Sequence, residues 1–551
     1  MDENIKAKLT RWGKSIVRTV KEKSVSFGMF FKKKALKIAH GFRDFFKAMK
    51  EHPKAFRVGL SSFFLMGLGQ FRNKEWYKGV PLLAIFLLFI LAEVVTSTYW
   101  YAPAEIANHP AEDTLYFFRD YGGIFTKGLW GLITLGAVTT YSVYRGQPIR
   151  PRGGIYDWAA GDNSRVLLGQ GVIVVVLIAL LVVLWIFSMR DAYKTRLKLE
   201  AGWEVEKFKT FIRRVWDDYF AYIIIIPAAI LILFFVLIPF IFSFLVAFTN
   251  YTGSIRLGLD LIQWHGFETF SRVFGADRAW LDFFLRVLRW TVFYAFMSSF
   301  TVYTFGFIQA LIIESRFVAF KKFWRVILIL PWAVPGMISL LVFSNVFGDN
   351  QGLMNRLLVE FGLTETVKSA LTTIGLVGQE SAGNILWFSS PRNAPLTRSI
   401  IVLVNLWMGF PYFMLLITGV LGTIPLSLYE AADIDGASGR QKFRFITFPW
   451  VLRATAPVII TTFTFNFNNF GAIYFLTGGG PRYPRADIPL SLTGIAPGQT
   501  DILISWIYKL SFGVTVPQYN LAAVYSILIF LFVGLVAIYN LSKLKSFWEE
   551  E

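Results

Sequence analysis

The chain has no cysteine, only four histidines, and 36 acidic residues against 55 lysines and arginines. Without cysteine there is no disulfide framework and no thiolate metal site; the histidines stand singly, so no metal-ligating cluster is assigned. The signatures of nucleotide hydrolysis (GxxxxGKS or GxxxxGKT), zinc peptidases (HExxH) and serine hydrolases (GxSxG) are also missing. No catalytic residue is assigned, and the chain does not read as an enzyme. The net charge of +19 raises nucleic acid as a partner, but the basic residues cluster beside apolar runs, where the positive-inside rule puts them.

What is present is apolar surface. Of 551 residues 55% are hydrophobic and 17% aromatic, with mean hydropathy +0.52, the composition of an all-α polytopic membrane protein. Residues 1–57 form a basic segment without a long apolar run, too long and too charged for a cleavable signal, and read as a cytoplasmic tail. Phenylalanines from Phe27 to Phe46 interleaved with lysines suit an amphipathic surface helix as well as they suit a solvated tail. Residues 58–218 form an amino-terminal membrane region and residues 219–551 a six-helix core. Spans are expected at Lys78 to Trp100, Leu167 to Met189, Tyr219 to Phe248, Trp290 to Ile313, Trp324 to Phe347, Ser399 to Leu421, Val451 to Leu476 and Leu521 to Leu541.

Two stretches are ambiguous. Val58 to Phe71 is short and interrupted by Gly67 and Gly69, which suits an interfacial or re-entrant piece. Gly122 to Tyr144 is glycine-rich and carries Lys127. Both termini are expected to be cytoplasmic, which requires an even number of crossings, and parity is kept if Gly122 to Tyr144 stays at the outer interface. The total is then eight spans, at the cost of leaving Arg145, Arg150, Arg152 and Arg165 outside against the charge rule. The acidic link with Glu105, Glu112, Asp113 and Asp120 suits the outside.

Between two apolar runs lies a polar loop, residues 426–450. Ser427 and Glu430 have capping-box spacing, Gly436 and Gly439 favour a stop, and Arg440 to Phe448 can form a second short helix bounded by Pro449. A second stretch, TTFTFNFNNFGAIYFLTGGGP, sets Thr462, Phe465, Asn466 and Asn469 at i, i+3, i+4 and i+7, one helical face with a ring, a hydroxyl and two amides at membrane depth. Such a face suits a sugar, whose ring faces are apolar and whose edges are hydroxyls; it equally suits amides that join helices.

Glu430-Ala431-Ala432, Gly436 and Ile446-Thr447-Phe448-Pro449 resemble the EAA motif of ABC-importer permeases, with Phe448 where leucine is usual. FNFNNF with LTGGGP, LWMGFPY at Leu406 to Tyr412 and TDILISWIYKLSF at Thr500 to Phe512 resemble the MalF-type permeases of maltose and maltodextrin importers. The resemblance runs from about Tyr219 to the carboxyl end. It implies a type I importer core in which Leu428, Tyr429, Glu430, Ala431, Ala432, Asp435 and Gly436 couple to a separate ATPase that uses ATP and Mg. It implies sugar contacts at Met408, Gly409, Tyr412, Thr462, Phe465, Asn466 and Asn469. It further implies a second permease (MalG-like), two ATPase subunits, an extracellular sugar-binding protein, no cofactor on this chain, and a bacterial or archaeal cell membrane. Alternatives are another carbohydrate, or an autonomous secondary transporter, which would want intramembrane ionisable residues that the core spans offer sparsely.

Overall fold

The structure, a computed structural model, describes residues 51–99, 121–137, 162–255, 260–276, 278–315, 317–378 and 383–548. The aromatic run of the basic tail, the acidic link, and Arg145, Arg150 and Arg152 lie outside the described residues. Two compact units are formed, one from Met1–Leu135 with Arg165–Pro239, the other from Gly136–Ser164 with Phe240–Glu551.

In the first unit Val58 to Phe71 is broken, as its glycines imply. Helix α1 (Pro53–Phe64) ends before Gly67, whose φ of +93° lies in the left-handed region, and α2 (Leu68–Arg72) follows. Neither is long enough to cross a bilayer. Helix α3 (Trp76–Thr96) is a span, α4 (Ile124–Thr134) is not, and α5 (Ser164–Glu200) is. At 1.5 Å per residue the 11-residue α4 reaches about 16 Å, half of a hydrocarbon core. Its glycines serve packing: a Cβ on Gly128 would lie 2.5 Å from Val174 of α5. Its first amides are satisfied by Glu93 of α3, which accepts from Gly123 N at 3.0 Å and Phe125 N at 2.9 Å.

Helix α6 (Phe208–Val246) runs unbroken through position 218, where a boundary is expected from sequence; the two units divide within it, after Pro239. In the second unit α7 (Arg278–Glu314) comes first, and the expected span Trp324 to Phe347 is then broken into α8 (Lys321–Ala333) and α9 (Gly336–Val346), bent by 84°. Pro335 causes the break, because it lacks an N–H and forces Val334 into extended backbone (φ −84°, ψ 133°). Short helices α10 (Leu353–Glu360) and α11 (Thr364–Thr373) follow, before α12 (Pro391–Leu421).

The polar loop departs from expectation in two ways. Helix α13 (Leu426–Ile434) begins after Pro425 with no side-chain cap, so the Ser427/Glu430 capping box does not form. The capping box is instead at Ser438 and Gln441, where α14 (Gly439–Phe467) begins. Pro449 does not bound a second short helix, because a π turn over Phe443–Thr447 carries the helix past it. The wider turn bonds Phe448 N to Phe443 O and accommodates a ring that would otherwise crowd the preceding carbonyls.

The expected span to Leu476 ends early. Helix α14 stops at Phe467, and Asn469 caps a separate short helix, α15 (Phe470–Tyr474), accepting from Ala472 N at 3.2 Å. Helices α16 (Leu503–Tyr508) and α17 (Tyr519–Trp548) complete the chain. Among the described residues six helices, α3, α5, α6, α7, α12 and α14, are long and apolar enough to cross a membrane, and the bent pair α8 and α9 makes a seventh when taken as one span. Helix α17 occupies the remaining expected place, and its Tyr519–Leu535 part is apolar.

The second unit is organised around α7 and α12. They approach through Gly306, where a Cβ would sit 2.7 Å from Phe413 Cβ and 2.9 Å from Met414 N. Around this contact Val302, Phe307, Phe413, Met414, Ile417 and Val451 form one buried cluster; Tyr294, Ile385, Ile401, Ile473 and Ile502 belong to another. These two clusters hold the walls of the site.

Candidate functional site

A cavity of about 320 Å³ opens among four helices of the second unit. Helix α12 contributes Asn405, Gly409, Tyr412 and Phe413; α14 contributes Val458, Thr461, Thr462, Phe465 and Asn466; α7 gives Val302 and α8 gives Trp332. The volume is at the small end of ligand cavities. Five sequence-predicted residues therefore meet here: Gly409, Tyr412, Thr462, Phe465 and Asn466.

Each wall position has a local reason. Gly409 lets α12 close on α7, since a Cβ there would lie 3.1 Å from a Val302 methyl. Tyr412 is held by Trp332, their ring centroids 6.1 Å apart. Thr462 donates its hydroxyl hydrogen to Val458 O at 2.8 Å, which is how a threonine satisfies itself inside a membrane helix. Asn466 is 2% exposed and donates from Nδ2 to Ser299 Oγ at 3.0 Å. Among the described residues no donor reaches its Oδ1 and no partner bonds the amide of Asn405. The cavity thus combines apolar rings with the Asn405 amide and the open Oδ1 of Asn466.

Two predicted residues stand apart from the cavity wall. Asn469 cannot share the helical face with Thr462, Phe465 and Asn466, because α14 has already ended and its side chain caps α15. Met408 packs against the buried cluster around Tyr294 and lies over the α8–α9 break, its Cε 3.1 Å from where a Gly336 Cβ would be. Sequence reasoning missed Asn405 and Trp332. Asn405 lies one helical turn before Gly409, so the i−4 position was a usable signal; Trp332 belongs to a distant apolar run and gave none.

The polar loop forms a second site. Helix α13 ends in a Schellman motif: Gly436 adopts φ +72°, its N–H bonds Asp433 O at 3.1 Å, and Ala437 N bonds Ala432 O at 2.8 Å. Asp435 is the C-cap residue. Leu428, Glu430, Ala431 and Asp435 are exposed, as is Ile434 at 88%, while Ala432 is half-buried. Tyr429 turns back toward the chain, its hydroxyl 2.8 Å from Thr447 Oγ1, so it ties α13 to the π turn of α14. Lys442 pairs with Asp433 across the turn.

A third cluster braces the LTGGGP loop. Asp501, fully buried, accepts from Lys509 Nζ at 2.6 Å, Gly498 N at 2.6 Å and Ser505 Oγ at 2.8 Å. Burial pushes its carboxyl up, and these donors pull in the opposite direction. Among the described residues no group of His, Cys, Asp and Glu is arranged to hold a metal.

The family profile described as "Binding-protein-dependent transport system inner membrane component" matches residues 302–544. The galactooligosaccharides transport system permease protein GanP of Bacillus subtilis (strain 168) is 36% identical over 495 residues, 90% of this chain and 99% of that one. The maltodextrin transport system permease protein MdxF of the same organism is 34% identical, over 90% of this chain and 97% of its own. The maltose/maltodextrin permease MalF of Escherichia coli (strain K12) is 36% identical over 294 residues, 53% of this chain and 51% of that one. A solved bacterial ABC transporter involved in alginate import aligns with 60% of this chain and 96% of its own at 19% identity and TM-score 0.43. With relatives matched along nearly their whole length by a multi-pass helical chain, this protein belongs to the binding-protein-dependent transport system inner membrane component family, as a non-catalytic sugar permease subunit of an ABC importer.

Proposed function

We propose that this subunit passes a maltodextrin across the membrane through the cavity between α12 and α14, receiving it from an external binding protein. The carrying observation is the pairing of Trp332, Tyr412 and Phe465 with the amide of Asn405 and the open Oδ1 of Asn466. Ring faces stack on sugar faces, and amides both donate to and accept from hydroxyls. Gly409 and Thr462 complete the wall. Met408 and Asn469 reach the sugar only if it extends past the cavity, toward the α8–α9 break or toward α15.

The chain works with a second permease and two ATPase subunits that bind ATP and Mg. Leu428 and Ile434 enter a cleft on the ATPase, Glu430 makes polar contact at its rim, and Ala431, Ala432, Asp435 and Gly436 shape the helix and its end. Tyr429, bonded to Thr447, passes the ATPase movement to α14 and so to the cavity wall. This gives alternating access as a two-state rigid-body change. The loop with Glu430 is cytoplasmic, as are both termini, and residues 219–551 act as the importer core.

A second reading, galactooligosaccharides, is favoured by the 36% identity with GanP along 90% of this chain. ATPase activity of the full complex in lipid distinguishes the two. Stimulation by binding protein loaded with maltotriose but not with a galactooligosaccharide supports the first reading; the reverse pattern replaces the sugar and keeps the mechanism. Sugar uptake by this chain alone, without ATP, overturns both.

A further inference from the structure

A larger hollow, about 800 Å³, lies along α7 and α12 away from the amide-lined cavity. Its two ends differ in chemistry. One end carries Arg286, Arg289 and Arg398 with Tyr483; the rest is walled by Phe293, Met297, Val402, Leu403 and Leu406. Along α7, Arg289, Phe293, Met297 and Thr301 recur every four residues, so one helical face runs from the basic end into the apolar groove. From Arg289 to Thr301 the rise is about 18 Å, comparable with the ~15 Å half-thickness of a hydrocarbon core.

The arginines are placed against expectation. With the Glu430 loop cytoplasmic, this end of α7 and α12 faces outward, where lysine and arginine are normally scarce. Only Arg286 is neutralised in the described residues, by Asp282 at 2.8 Å; Arg289 and Arg398 have no carboxylate partner among them. Arg398 is nevertheless rigid: its guanidinium lies 4.6 Å from the Trp290 ring and donates Nε and Nη2 to Gln499 O, at 3.1 and 2.7 Å. That leaves Nη1 free of partners in the described residues. A fixed guanidinium, Arg398, and an exposed one, Arg289, above a lipid-length apolar groove call for an amphiphilic anion. A neutral sugar fits poorly, since the deep walls carry no amide and Thr301 Oγ1 is spent on Met297 O.

We propose that this groove binds an anionic phospholipid of the outer leaflet, its phosphate held by Arg289 and Arg398 and one acyl chain laid along Phe293, Met297, Val402 and Leu406. Arginine suits the phosphate through paired N–H donors, and the chain gains contact with a surface already apolar. The bound lipid would steady the α7–α12 pair whose deeper halves wall the sugar cavity.

The assembled complex, carried in nanodiscs of mixed phosphatidylglycerol and phosphatidylcholine, is released and weighed by native mass spectrometry. Wild type should retain phosphatidylglycerol over phosphatidylcholine, and Arg289→Glu should reduce that retention about tenfold. Arg289 is exposed, so the variant should assemble normally. Val402→Trp, which fills the groove one helical turn from Arg398 and keeps all three arginines in the sequence, should also displace the lipid. Equal retention of the two lipids, or retention unchanged in Arg289→Glu, overturns the proposal. So does loss in Arg289→Glu with no effect of Val402→Trp and full competition by glycerol phosphate, which would mark a site for free anions. A photo-crosslinker at Met297 that captures the second permease subunit instead of lipid overturns it as well.

Discussion

Asn466→Ala tests the cavity most directly, because its structural and functional costs separate. The side chain is 2% exposed and gives one hydrogen bond, to Ser299 Oγ at 3.0 Å. Truncation does not orphan Ser299, whose hydroxyl still donates to Ala295 O at 2.7 Å. The folding cost is therefore that of one neutral hydrogen bond, about 1 kcal/mol, without a buried unpaired group. The functional cost is larger if Oδ1 meets a sugar hydroxyl: a further ~1–2 kcal/mol, or roughly 5- to 30-fold in the efficiency with which loaded binding protein stimulates ATP hydrolysis. The assay is ATPase rate against concentration of maltotriose-loaded binding protein, on the reconstituted complex, beside thermal unfolding of the same sample. Wild-type stimulation in Asn466→Ala would refute the sugar contact. A collapse of unfolding temperature in step with activity would refute the separation of costs.

Other perturbations follow from the same geometry. Glu430→Lys, on an exposed face of α13, should leave unfolding temperature unchanged and abolish sugar-stimulated ATP hydrolysis; coupled transport at the normal rate would contradict a docking role. Gly306→Leu forces a side chain into Phe413 and the α12 backbone and should cost at least ~3 kcal/mol, seen as loss of folded protein in detergent; a variant as stable as wild type would show that α7 and α12 are not in close contact. Asp501→Ala leaves Gly498 N and Lys509 without their partner and should destabilise the LTGGGP loop by about 3 kcal/mol, read as local proteolysis there before global unfolding.

Much of the helical plan was legible because lipid imposes a local rule. A helix that satisfies its own backbone must be apolar for about 20 residues, and that length is visible in a single window of sequence. So α3, α5, α6, α7, α12 and α14 could be read from their runs, and α4 could be suspected from its glycines. The polar loop was legible for the opposite reason, as a charged interruption between two such runs with Gly436 marking its stop. The sequence could not reveal how local alternatives compete. Two capping boxes are available in the loop and only Ser438 with Gln441 forms; Pro449 ends a helix in isolation but is carried through by the π turn at Phe443–Thr447.

The site itself divides along the same line. Residue types and spacing alone determined that Thr462, Phe465 and Asn466 share a face, because 3.6 residues per turn holds wherever the helix is intact. Tertiary structure decided where that helix ends, and so detached Asn469; it also decided which residues meet across helices. Trp332 meets Tyr412 across helices, beside the 84° bend between α8 and α9, and Gly409 matters because Val302 lies against it. Contacts between residues far apart in the chain depend on how helices pack, and helical periodicity carries no record of the neighbour it will meet.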